Sequence, residues 1–117
     1  ISKKQWRLNM TNRRYHITRY EWQFVKYDAD ENNDFDYGDT LKELFKNTTW
    51  DEVKKLTDAE THAIRLSVWT GFIDSDNMED IDLWGYASVI NNELEKDAYG
   101  YKIPKKYHTE FNRWKLL

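Results

Sequence analysis

Three Thr-x-x-Glu boxes follow one another between residues 40 and 60: Thr40 with Glu43, Thr49 with Glu52, and Thr57 with Glu60. In each, the hydroxyl can accept from an orphan N–H at a helix start while the glutamate reaches back to the cap's own N–H. Each Thr cap is worth about 1 kcal/mol. The repetition predicts helices over 41–46, 50–56 and 58–72. The third carries Ala59, Ala63, Leu66, Trp69 and Ile73 at helical spacing, with Ile64 and Val68 widening the stripe. Asp74, Ser75, Asp76 and Asn77 break it. A fourth helix is expected over 79–97, with Leu83, Ala87, Ile90 and Leu94 as its buried stripe. Pro104 suits the first turn of a last helix, which brings Tyr107, Phe111 and Trp114 onto one face.

The segment from Tyr15 to Tyr27 reads differently. It is dense in aromatic and β-branched side chains, which favour strands. Alternation puts His16, Thr18, Tyr20, Trp22 and Phe24 on one face; helical spacing offers Ile17, Tyr20, Phe24 and Tyr27 instead. The strand is preferred. The expected fold is therefore α+β, a short N-terminal antiparallel β-hairpin packed on about five helices, with an all-α bundle as the alternative. A chain of 117 residues is one domain, 1–117. Its core must be aromatic, because six Trp, eight Tyr and five Phe stand beside only two Met. Trp and Tyr are also the residues enriched in binding hot spots.

Charge is segregated. Residues 1–20 sum to +6, residues 21–100 to −13, and residues 101–117 to +4, giving the formal −3. A sustained field of one sign steers association with a charged partner. There are no cysteines, so there is neither a disulfide framework nor a thiolate metal site, as suits a reducing cytoplasm. No apolar run approaches the ~18 residues that span a bilayer.

Two stretches concentrate the acid: Asp28, Asp30, Glu31, Asp34, Asp36 and Asp39, then Asp74, Asp76, Glu79, Asp80 and Asp82. Solvated loops and helix N-termini account for such residues, since acids favour the positive pole of a helix. The functional reading is a surface that stands in for nucleic-acid phosphates and occupies the basic cleft of another protein. Carboxylates on a rigid scaffold compete for the Arg and Lys that bind phosphate. Small phage proteins that block bacterial nucleases have this profile. The leading expectation is thus a non-enzymatic inhibitor or adaptor of phage or mobile-element, anti-defence type. Its partner would be a basic nucleic-acid-binding protein.

Two alternatives rest on other residues. The run from Asp28 to Asp39 resembles the EF-hand calcium loop, with oxygen ligands at Asp28, Asp30, Asn32, Asp36 and Asp39 and an apolar Phe35 between them. That resemblance implies calcium as a cofactor, held by a ring of six or more oxygens. Asn33 stands where the family has Gly, and Asp39 where it has Glu. The competing reading is an acidic hairpin loop built from Asx turns. The basic N-terminal segment interleaves Arg7, Arg13, Arg14 and Arg19 with aromatics that include Trp22, the pattern of single-strand nucleic-acid binders. Catalysis has little support: His16, His62 and His108 are scattered, and Asp58 and His62, four residues apart, suit an ion pair.

Overall fold

The computed structural model describes residues 14–27, 34–74 and 81–117. Its frame is one antiparallel sheet of five strands in the order β2-β1-β3-β4-β5. These are β1 (Arg14–Lys26), β2 (Asp34–Gly38), β3 (His62–Asp74), β4 (Ile81–Ile90) and β5 (Glu93–Leu94). A small hairpin follows, β6 (Asp97–Ala98) and β7 (Tyr101–Lys102). The described residues also form three helices: α1 (Leu41–Leu44), α2 (Trp50–Asp58) and α3 (Lys105–Lys115). The expectation of about five helices, and the all-α alternative with it, is overturned. The molecule is mainly β.

Every residue of β1 is paired with β3, from Arg14 opposite Asp74 to Lys26 opposite His62. That register puts Tyr20, Trp22 and Phe24 beside Val68, Leu66 and Ile64, with Ala87 of β4 next in the row. This face is the core. Trp22, Leu66, Val68 and Ala87 are wholly buried. The helices cover it with aromatic rings: Tyr107 lies 4.8 Å from Tyr20, Phe111 lies 6.3 Å from Trp22, and Phe45 lies 4.9 Å from both Phe24 and Trp114. Trp50 of α2 meets Phe111 and Trp114 edge to face. Offset and edge-on rings at these distances add about 0.5–1.5 kcal/mol per pair beyond the area they bury.

Thr40 and Thr49 cap α1 and α2 as expected, each accepting from the N–H three residues on. The capping glutamate of the first box does not close on its own cap; Glu43 accepts from Asp39 N–H at 3.2 Å. The third box is not a start at all. Thr57 sits inside α2 and donates to Lys54 C=O, while Glu60 adopts φ 60° and ends the helix. Glu60 N–H bonds Thr57 C=O and Thr61 N–H bonds Leu56 C=O. That is the paired closure of a Schellman stop. Its sequence is the same as a start box, but the helix was already running.

The two long helices expected after it are strands. In β3, Ile64, Leu66, Val68 and Thr70 are buried on one face, and Ala63, Arg65 and Trp69 are half-buried on the other. A strand covered on both faces places apolar residues at both parities, so it also satisfies a helical template. The stripe read into 79–97 dissolves likewise: Ala87 and Leu94 are buried, but Leu83 and Ile90 are exposed. Asn91 and Asn92 have φ 52° and 67° and turn β4 into β5. Two left-handed residues in succession are what a two-residue hairpin loop requires, and Asn tolerates them.

Candidate interaction surface

β3 and β4 run side by side to one end of the sheet, with Thr70 opposite Asp82 and Gly71 opposite Ile81. Partway along, the register slips. Val68 faces Gly85 but Trp69 faces Leu83, so Trp84 is the extra residue of a β-bulge. Bulges increase local twist and re-aim the side chain they carry. Trp84 is 58% exposed and Leu83 beside it 44%. Gly85 fixes the other side of the bulge: a Cβ there would stand 2.8 Å from Ala98 C=O. Only glycine lets the β6–β7 hairpin approach β4 so closely. β5 pairs with Val89 and Ile90 alone, so among the described residues the part of β4 that carries Trp84 is an open edge.

Two residues of the second acid-rich stretch lie in the strands at this end of the sheet. Asp74 closes β3 and Asp82 lies in β4, two residues before Trp84. Asp76, Glu79 and Asp80 lie outside the described residues. Arg14 stands in cross-strand register with Asp74.

The sheet face opposite the core is polar in rows. Glu21, Ser67 and Tyr86 form one, and Gln23, Arg65 and Ser88 the next. Arg65 is the centre of this face. Its guanidinium lies over the rings of Tyr86 and Tyr27, and Nη2 donates to Tyr27 Oη. Arg65 Nε, Ser67 Oγ and Trp69 Nε1, on alternate residues of β3, are buried without a hydrogen-bond partner. Burial raises the Glu21 carboxyl above its usual range, Arg19 lowers it, and Asp39 raises it further. Sequence reasoning missed Arg65. The signal was there: polar residues alternate at Arg65 and Ser67, as they do at Glu21 and Gln23.

The first acid-rich stretch is split. Asp28, Asp30, Glu31 and Asn32 lie outside the described residues. Asp34 stands in cross-strand register with Lys26, Asp36 is exposed in β2, and Asp39 is exposed just before α1. A strand, β1, precedes the run, where an EF-hand has its incoming helix, and β2 lies inside the run itself, paired antiparallel with β1. The residues that would form the Asx turns of an acidic hairpin loop lie outside the described residues. Among the described residues no group of three His, Asp or Glu is placed to hold a metal ion.

The residues considered for nucleic acid are also divided. Arg7 and Arg13 lie outside the described residues, and Arg14 is placed by its backbone alone. Arg19 is exposed and lies 4.0 Å from Glu21. Trp22 is wholly buried against Phe111 and Tyr107, so it offers no face for a base to stack on. The histidines sit on three separate elements. His16 Nε2 lies 3.0 Å from Thr70 Oγ1, and His62 stacks on Phe24 at 4.8 Å. Burial and then Lys26 lower the His62 pKa. His108 is half-buried on α3. Asp58 ends α2 and His62 opens β3, so the helical turn expected to join them is not formed.

No protein-family model, curated protein or solved structure matches the chain. Among the described residues no helix is long and apolar enough to cross a membrane.

Proposed function

We propose that this protein is a non-enzymatic binding module, an inhibitor or adaptor, that engages a basic nucleic-acid-handling protein through the β3–β4 end of its sheet. The observation that carries the reading is the bulge that turns Trp84 outward on an open strand edge, two residues after Asp82. A large exposed Trp supplies an anchor that fills a pocket on a partner. Carboxylates around it pair with Arg and Lys and set the approach, giving specificity and on-rate more than affinity. Nucleic-acid mimicry is the finer form of this reading, in which those carboxylates occupy phosphate positions.

The test compares capture of proteins from a bacterial lysate by the wild-type chain, by Trp84→Ala and by a variant with Asp80→Lys and Asp82→Lys. The wild type should retain a protein that binds nucleic acid and that heparin or added DNA displaces. Both variants should lose it while melting as the wild type does. Capture that survives both substitutions, or that heparin leaves in place, overturns the proposal.

A further inference from the structure

Away from the β3–β4 end, with no lining residue from either strand, α1 and α3 enclose an open groove of about 720 Å³. Its floor is apolar: Leu41 is wholly buried and Trp114 nearly so, and both border the space. Lys42 lines one wall, and Lys105, Lys106 and Arg113 line the other. The acid in the groove is Glu110, and it is already engaged. Its carboxylate accepts from Leu41 N–H at 2.7 Å, which ties α3 to the start of α1. Among the described residues no carboxylate lies within ion-pair distance of the four cations.

We infer that this groove is a docking site for an acidic amphipathic segment of a partner protein. Charge complementarity carries the choice of occupant. An apolar floor between cationic walls fits a ligand with an apolar stripe flanked by negative charge, the helix-in-groove mode of recognition. The spread of charge decides between a segment and a small anion. Lys106 and Arg113 are seven residues apart on one helix, about 10 Å along its axis. Lys42 adds a third cation from the facing wall. A single headgroup meets one of these positions at a time. A chain bearing carboxylates two helical turns apart meets both ends of the groove together. The site is independent of the β3–β4 end, and its preferred partner carries the opposite charge, so the molecule has the surfaces of a bridge between two proteins.

The test measures fluorescence anisotropy with a fluorescein-labelled synthetic helix that carries Glu at i and i+7 beside a Leu stripe. The wild-type chain should bind it, more weakly as salt rises. The same peptide with Gln at the Glu positions should bind about tenfold more weakly or worse. Arg113→Glu and Lys42→Glu should each weaken the Glu peptide by a similar factor, and Arg113→Lys should retain most of the affinity. Both positions are exposed, and an unchanged melting curve confirms the fold; Lys42→Glu stands if the α3 variant melts early. Trp84→Ala should bind the peptide like the wild type, which separates this site from the β3–β4 end. Equal binding of the Gln peptide overturns the inference, as does indifference to both charge reversals. So does tighter binding in this groove of a labelled fatty acid, or of a single-stranded oligonucleotide.

Discussion

The guanidinium of Arg65 lies 4.5 Å from the centre of the Tyr86 ring. A second aromatic, Tyr27, lies 5.8 Å away and accepts a hydrogen bond from the same group through its hydroxyl. One side chain thus links the end of β1 to β4 across β3. Tyr86 is in turn met edge-on by Tyr99, from the turn between β6 and β7. Arg65 ties the outer hairpin to the sheet through ring contacts, without an ion pair of its own among the described residues.

Removing that link should be measurable. A cation–π contact is worth about 0.5–1 kcal/mol where partly exposed, and a side-chain hydrogen bond contributes about 1 kcal/mol net. Arg65→Met keeps most of the apolar stem and should cost about 1–2 kcal/mol in urea denaturation. Arg65→Lys should recover part of the loss, because a lysine keeps the charge but not the planar fork. If Arg65→Met is neutral, the buried and unpaired Nε offsets the ring contacts, and Arg65 is no tie.

The sequence disclosed local devices better than architecture. Thr40 and Thr49 as caps, Pro104 before the last helix, and the buried row of Tyr107, Phe111 and Trp114 are all present. So is the alternation of Tyr20, Trp22 and Phe24 on the core face. The failures lie where two physical signals coincide. In β3, burial on both faces put Ala63, Leu66 and Trp69 at helical spacing by accident. At Asn91 and Asn92 the hairpin signal was a pair of residues that tolerate positive φ, and it was passed over inside an apparent stripe. The bulge at Trp84 leaves no local sequence signature beyond Gly85, because it depends on the approach of Ala98 from thirteen residues away. The acid before it was legible as charge, but not as part of an edge.

Glu60 carries local backbone strain. It ends α2 at φ 60°, where a side chain meets the backbone and glycine does not. Its position after the C-cap Ala59 is the one that helices most often give to glycine. Glu60→Gly should stabilise the protein by about 0.5–1 kcal/mol, the strain removed exceeding the backbone entropy that glycine adds to the unfolded chain. Glu60→Val should destabilise it by more, since a β-branched residue resists this conformation. Thermal unfolding of the two variants decides the matter. A loss of stability in Glu60→Gly would mean that the glutamate makes a contact outweighing its strain.

Glu21 sets a pH dependence with a definite sign. Burial raises its carboxyl above the usual range, Arg19 pulls it back, and Asp39 pushes it up again. The folded state therefore holds the Glu21 proton more tightly than the unfolded chain does. Stability from this group is full below the unfolded value, about 4.3, and is lost as pH rises through the higher folded value. At neutral pH the ionised side chain is a net cost. Its partner Arg19 sits at the 4.0 Å limit with a side chain 57% exposed, so solvent screens the attraction. Glu21→Gln should melt higher than the wild type at pH 7, and the two should converge as pH falls below 4.3. Melting temperatures measured across that range for both chains provide the check. Parallel curves would show that Glu21 titrates normally, and a lower melting temperature for Glu21→Gln at pH 7 would show that Arg19, not burial, governs this corner of the sheet.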